Sequence, residues 1–378
     1  MFNKKHKKYT MEIPVCIHPW QHFSLGWNSF CPCCNAYPLS FGNIKDNPIG
    51  EDLKKGIFNH ENYMFLREKL AVGELADSCK NCSTKYSTGA LHHMNALLTD
   101  IIVQIENTEQ RYRATQNFNQ SIISIIKKEI VVDHNPVYIT VTCGSACNLR
   151  CKFCYNRNMD YHPAPADILR IIDKIHETLI FCQLTGGEPF VTKTGRALLE
   201  KFAEGKYKFA VRLGTNAQSV NFNILKCVNL AEVQISTDAA TKRVYETIRV
   251  GGNFDVLISN IKKFVELKKD KPYMKVSTNF TITSDNYMDI PEACKLYESL
   301  GTYTMFNLVM REKDDPQNIK ERVDLYEPLL KKIEEAMAIA INSITKDKLM
   351  VIKDTIEEKM RDNKNSSKII KKISSFLP

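Results

Sequence analysis

The sequence predicts an α/β fold: a partial (β/α)6 TIM-like barrel, with a small cysteine-rich domain before it and a helical extension after it. Three observations predict this. From about residue 136, strand-like and helix-like stretches alternate in six successive units, which implies a parallel sheet too short to close a full eight-unit barrel. Ahead of that alternation thiols are crowded: of 13 cysteines, six lie between Cys16 and Cys82 and four between Cys143 and Cys154. Behind it, the tail from about Pro316 has helical periodicity. The expected boundaries are 1–90, 91–135, 136–315 and 316–378.

Taken in order, the first 90 residues are rich in Pro, Gly, Asn, Cys and aromatics with short apolar stretches. They read as hairpins and loops built around a metal rather than a large apolar core. LHHMNALLTDIIVQIENTEQRYR and FNQSIISIIKKEI are helical patterns, ended by Asp133-His134-Asn135-Pro136. The strands of the alternation are VYITVT, FCQLT, KFAVRLGT, AEVQIST, MKVSTNFTI and TYTMFNLVM. The helices between them are ADILRIIDKIHETL, RALLEKFAEG, FNILKCV, FDVLISNIKKFVELKK and IPEACKLYESLG. In the tail, LYEPLLKKIEEAMAIAINSI and LMVIKDTIEEKM are amphipathic, and RDNKNSSK reads as a polar linker.

Hydrophobic residues at 43% and charged residues at 25% are an ordinary globular balance. No apolar run approaches the roughly 20 residues of a membrane span. The basic opening MFNKKHKKYTMEIPV lacks an apolar signal-peptide core, so a reducing cytoplasm is expected. Disulfides are disfavoured there, and clustered cysteines point instead to metal or redox chemistry. The net charge of +9 gathers at the two ends and reads as solvated surface; nucleic acid is not an expected partner.

The central motif is CNLRCKFCYN, with Cys147, Cys151 and Cys154 directly after the first strand of the alternation. That is the strand end where such folds place their chemistry. Full ligation of an iron–sulfur cluster by protein takes four thiolates, and this motif supplies three. A [4Fe-4S] cluster bound this way keeps one iron open. A structural zinc site, the alternative, wants four ligands in paired knuckles, and Cys143 lies within the strand end.

The spacing C-x-x-x-C-x-aromatic-C, with Phe153 at the aromatic position, resembles the radical S-adenosylmethionine (SAM) superfamily. Further motifs follow in that family's order. Gly186-Gly187-Glu188-Pro189 resembles its GGEP motif, which implies a site for the amino group of SAM. Thr215-Asn216, then Ser236 and Asp238, then Tyr245, Arg249, Gly251-Gly252 and Phe254 resemble the stretches after later strands; Asn279 and Asn286 lie in and beyond the fifth. The resemblance covers about residues 136–310. It implies a SAM-binding [4Fe-4S] cluster on Cys147, Cys151 and Cys154. It also implies SAM contacts from Phe153, Gly186, Gly187, Glu188, Pro189, Asn216, Ser236, Asp238 and Arg249. Other readings stand beside these: Arg249 as a surface ion pair, Asp238 as a helix N-cap before AATKRVYETI, and Thr215-Asn216 as a turn.

Cys16, Cys33 after Pro32, Gly42-Asn43-Ile44, Cys79 and Cys82 resemble the auxiliary-cluster modules called SPASM or twitch domains, placed here before the barrel rather than after it. This implies a second [4Fe-4S] cluster on Cys16, Cys33, Cys79 and Cys82. Which thiol of Cys31, Cys33 and Cys34 binds stays open, and four cysteines ending in C-x-x-C also fit zinc. His18, His22, His92 and His93 read as surface or packing residues, and Cys143, Cys182, Cys227 and Cys294 as core.

The resemblance implies an enzyme that cleaves SAM reductively to a 5′-deoxyadenosyl radical, fed by a reductant such as flavodoxin or ferredoxin. Two substrate classes compete: a ribosomally made peptide, favoured by the auxiliary module, and a small molecule such as a sugar, cyclitol or nucleotide. A non-catalytic metal scaffold is the third reading, and the intact GGEP motif argues against it.

Overall fold

The computed structural model describes residues 16–26, 29–33, 57–79, 97–105 and 107–374. Cys34, Gly42-Asn43-Ile44, Cys82, His92, His93 and the basic N-terminal stretch lie outside the described residues. Two compact units are resolved. One comprises Met1–Thr142, Pro163–Gln183 and Glu204–Val211; the other comprises Cys143–His162, Leu184–Ala203 and Arg212–Pro378.

The strands are β1 (His22–Gly26), β2 (Ser29–Cys31), β3 (Tyr138–Thr142), β4 (Arg150–Cys151), β5 (Phe181–Thr185), β6 (Ala210–Thr215), β7 (Leu230–Ser236), β8 (Arg249–Val250), β9 (Lys275–Ile282) and β10 (Tyr303–Leu308). Eight of them form a sheet of order β10-β9-β7-β6-β5-β3-β1-β2, while β4 and β8 form a separate ribbon. The six strands of the predicted alternation are β3, β5, β6, β7, β9 and β10. Parallel pairing joins β7 to β9 and β9 to β10.

In the first unit, helices α1 (His18–Gln21), α2 (Glu61–Ala71), α3 (Thr108–Lys127) and α4 (Pro165–Ile175) are described. The fourth starts with Pro at its first position and buries Ile168, Ile171, Ile172 and Ile175, the spacing of one helix face. The third is capped by Asn107, whose side chain accepts from Gln110 N at 2.9 Å. Strand β1 runs parallel to β3, with Phe23 opposite Ile139 and Leu25 opposite Val141, and pairs antiparallel with β2. All five residues of β1 are buried. This corrects the expectation of little apolar core in the first 90 residues: Trp20, Phe23, Leu25, Phe30, Tyr63, Leu66 and Leu70 are all buried. The HFSLG run alternates Phe23 and Leu25 with His22 and Ser24, yet the polar face is buried as fully as the apolar one. Arg67, fully buried, ties three segments of this unit together by donating to the carbonyls of Pro19, Phe58 and Ile130.

The second unit holds α5 (Lys193–Ala203), α6 (Phe222–Cys227), α7 (Lys242–Ile248), α8 (Phe254–Leu267), α9 (Ile290–Ser299), α10 (Tyr326–Ile339) and α11 (Ser343–Ser374). Asn221 and Asn253 cap α6 and α8 by accepting from Ile224 N and Val256 N. α11 runs unbroken through RDNKNSSK, which was expected to be a linker. That stretch is polar but contains no Gly or Pro to stop a helix. Thr345 on α11 accepts from Thr304 N of β10 at 3.1 Å, so the helix takes up a backbone donor of the sheet's last strand. No helix among the described residues is long and apolar enough to cross a membrane.

Candidate active site

The site is built on the second unit, on the loop that follows β3. Two backbone bonds set the loop's course: Cys143 N donates to Thr185 O at 2.7 Å, and Glu188 N donates to Ala146 O at 2.9 Å. Gly187 makes this approach possible. Its φ is +53°, and an added Cβ would stand 2.4 Å from Ala146 O and 2.8 Å from Gly144 O. No side chain fits there, so the GGEP turn presses bare backbone against the cysteine loop.

Cys147, Cys151 and Cys154 stand along that loop, half-buried, buried and half-buried in turn. Cys147 Sγ accepts from Leu149 N at 3.4 Å and from Asn216 Nδ2 at 3.6 Å. Burial raises its thiol pKa. Cys151 lies on β4, in register with Arg249 on β8. Burial pushes its thiol up to about 11, while the Arg249 guanidinium, whose Nη1 donates to its sulfur at 3.6 Å, pulls the other way. Cys154 N donates to Cys151 O at 3.2 Å. Among the described residues no three His, Cys, Asp or Glu side chains converge as a ready metal shell. The three thiols are therefore neighbours on one loop rather than a closed ligand set.

Glu188 is 1% exposed. Its Oε1 accepts from Thr215 Oγ1 at 2.8 Å and its Oε2 from Asn216 N at 2.7 Å. Burial pushes its carboxyl up to about 7, against the pull of these donors. Thr215-Asn216 is thus more than a turn. It grips the GGEP carboxylate, and its Asn216 amide also donates to Asn148 Oδ1 at 2.8 Å. Pro189 is buried, Gly186 has φ +79°, and Ser236 is half-buried at the end of β7.

Asp238 and Arg249 form a buried ion pair, 0% and 7% exposed. Asp238 Oδ2 accepts from Arg249 Nε at 2.6 Å and also from Nη2. Burial disfavours the guanidinium's charge, but Asp238 outweighs it and the pKa is raised. The Arg249 guanidinium carbon lies 5.9 Å from the centre of the Phe153 ring. Arg249 is therefore not a surface ion pair. Nor does Asp238 cap a helix: α7 begins at Lys242 after Thr241. Asp289 accepts from Ala240 N and Thr241 N there instead. Asp238 itself sits at φ +57° with Oδ1 accepting from Thr281 N at 2.6 Å. Asn286 donates to Asp238 O at 2.8 Å. Sequence reasoning did not find Asn148 or Thr281 as parts of this network. Asn148 lies inside the cysteine motif, whereas Thr281 contributes only its backbone, which leaves no mark in sequence.

In the first unit, Cys33 and Cys79, far apart in sequence, pack against one small cluster of Leu66 and Ala76. Cys31 is buried with its Sγ 3.9 Å from Ser24 O, and Cys16 is half-buried. His18 and His22 are packing residues: His18 Nδ1 is 2.7 Å from Tyr138 Oη, and His22 bonds Pro32 O and Thr140 Oγ1, both at 2.9 Å.

The residues of the second unit fit a three-thiolate [4Fe-4S] centre with a bound amino acid. Three thiols share one loop, bare glycine backbone lies against it, and a buried carboxylate oriented by Thr215 and Asn216 is tied to the same loop through Ala146. The sequence model of the radical SAM superfamily matches residues 141–297. Over 172 residues the chain is 25% identical to the Probable GTP 3′,8-cyclase of Methanocaldococcus jannaschii, covering 43% of this chain and 55% of that protein. Over 173 residues it is 25% identical to Mycofactocin maturase MftC of Mycobacterium tuberculosis, covering 44% of this chain and 43% of that one. The chain thus spans about half the length of the curated relatives it matches. Among solved structures, Streptococcus suis SuiB superposes with a TM-score of 0.46 at 19% identity, over 73% of this chain and 62% of that chain. The cysteine loop and the GGEP turn both lie inside the matched residues, so residues 141–297 are a radical SAM domain, similar over that stretch to the cyclase and the maturase.

Proposed function

We propose that this enzyme oxidises a ribosomally made peptide, using SAM held at Cys147, Cys151 and Cys154 and a second [4Fe-4S] centre held by Cys16, Cys33, Cys79 and Cys82. When bound, the first cluster and SAM supply a 5′-deoxyadenosyl radical that abstracts hydrogen from the substrate, the electron coming from a reductant such as flavodoxin or ferredoxin. The observation that carries the reading is the buried Glu188 carboxylate, aimed by Thr215 Oγ1 and Asn216 N beside the cysteine loop. A buried carboxylate of this kind recognises an ammonium, and a metal scaffold has no need of one. Gly186 and Gly187 admit close backbone approach, Ser236 at the end of β7 offers a hydroxyl, and Phe153 and Pro189 supply apolar wall. Arg249 and Asp238 act on the same site.

Support for the second centre is the packing of Cys33 and Cys79 on the shared Leu66–Ala76 cluster, with Cys31 turned toward the Ser24 carbonyl. A centre there offers the substrate radical an electron acceptor. The peptide reading draws on that module and on the relative named a maturase. A second reading, oxidation or rearrangement of a nucleotide or other small molecule, draws on the relative named a GTP cyclase. The two are separated by offering the anaerobically reconstituted, reduced chain, in parallel, peptides encoded beside its gene and a panel of nucleotides and sugars. SAM-dependent mass change confined to a peptide is expected. Turnover of a nucleotide or sugar with no peptide modified would replace the first reading by the second.

A further inference from the structure

Resting on Cys147, Cys151 and Cys154 as cluster ligands, we infer that Asn216 and Arg249 are positioning residues that set the cluster's reduction potential through N–H···S hydrogen bonds to two of its three thiolates. The Asn216 amide has two hydrogens and two acceptors: Asn148 Oδ1 at 2.8 Å and Cys147 Sγ at 3.6 Å. Its backbone N is committed to Glu188 Oε2, and its Oδ1 accepts from Gln218 N at 2.9 Å. The side chain is held at both ends, with one N–H directed at sulfur.

Arg249 is held as firmly. Thr281 N fixes Asp238 Oδ1, Asp238 Oδ2 takes Nε and Nη2 of the guanidinium, and the remaining Nη1 reaches Cys151 Sγ at 3.6 Å. The β4–β8 ribbon places Cys151 opposite Arg249, and Lys152 N donates to Ile248 O at 2.9 Å, so donor and acceptor ride on one paired backbone. Hydrogen bonds to sulfur and nearby positive charge both stabilise the more negative, reduced cluster, and both raise its potential. The guanidinium's charge is largely offset by Asp238, so the directed N–H is the part that acts at the sulfur.

The test is a redox titration of the reconstituted full chain, following the electron-paramagnetic-resonance signal that responds to added SAM, with iron and sulfide counted on the same samples. Asn216→Ala, and Asp238→Asn combined with Arg249→Leu so that no charge is stranded, should keep their iron yet move the midpoint to more negative potential. The expected size is on the order of a tenfold change in the one-electron equilibrium for each, about 59 mV. Asn216→Gln, which keeps an amide, should recover part of the shift. Asn216→Ala alone decides the matter if the double variant does not fold. Full iron with midpoints equal to wild type would overturn the inference. Absence of any SAM-responsive signal in wild type would overturn the cluster assignment beneath it.

Discussion

Glu188 carries two opposing demands at the level of the single residue. It must be a carboxylate to take an ammonium, yet its burial favours the neutral acid and pushes its pKa to about 7 from 4.5. A carboxyl raised in this way keeps its proton in the folded chain where the unfolded chain has lost it. Folding stability therefore falls as pH climbs from 4.5 to about 7 and does not recover above that. Without SAM, Glu188→Gln should match wild type near pH 4 and melt at a higher temperature near pH 8, to be read by thermal denaturation at about those two values. SAM binding has the opposite dependence, because the ammonium selects the ionised form. Wild-type affinity for SAM should weaken as pH drops below about 7, approaching tenfold per unit. The Gln variant should bind more weakly and lose that slope. Calorimetric titrations showing a flat wild-type profile would remove Glu188 from the ammonium site. The residue was legible in sequence through the GGEP motif. Its donors were legible only in part: Thr215-Asn216 stood out as a motif, but the Asn216 bond to Glu188 uses backbone, and backbone donors have no sequence signature.

Among the structural elements, the turns after β3 and β5 do the positioning, and glycine decides whether they can meet. Gly187→Ala would put a methyl 2.4 Å from a carbonyl oxygen at φ +53°. The backbone strain alone costs about 1–3 kcal/mol, and relieving the clash must push the GGEP turn off the cysteine loop. This variant should show a lowered melting temperature and reduced iron uptake at the triad after reconstitution. Gly73→Ala, with φ +80° but nothing within 4 Å of the added methyl, is the control that isolates strain. Equal effects of the two on iron content would deny the close-approach role. The strands and helices of the alternation were readable because each carries a clean period. The boundary of α7 was not. Asp238 has the chemistry of an N-cap, but Arg249 takes its carboxylate, and Asp289, distant in sequence, holds the amides of Ala240 and Thr241 instead. Such competition between a local cap and a long-range ion pair is decided by tertiary contacts. The same holds for β1, where tertiary contacts bury His22 and Ser24 along with Phe23 and Leu25.

Over the whole molecule, the account places one metal centre on each unit's cysteines and treats them as separable. If Cys16, Cys33, Cys79 and Cys82 hold a second [4Fe-4S] cluster, reconstituted wild type should carry about eight irons, and the Cys147→Ala/Cys151→Ala/Cys154→Ala variant about four. Cys79→Ala with Cys82→Ala should remove the remainder. The described part of the first unit should stay folded in that variant, because Trp20, Phe23 and Tyr63 give it a buried aromatic core of its own. Metal analysis that finds zinc and no second cluster in anaerobic protein would make the N-terminal cysteines structural. The claim on which everything else rests is that the triad and SAM make radicals. Its most direct test is the formation of 5′-deoxyadenosine from SAM by the anaerobically reconstituted, dithionite-reduced chain. The account predicts SAM-dependent 5′-deoxyadenosine from wild type and from the Cys79→Ala/Cys82→Ala variant, and none from the triad variant. Undiminished 5′-deoxyadenosine from the triad variant would contradict it.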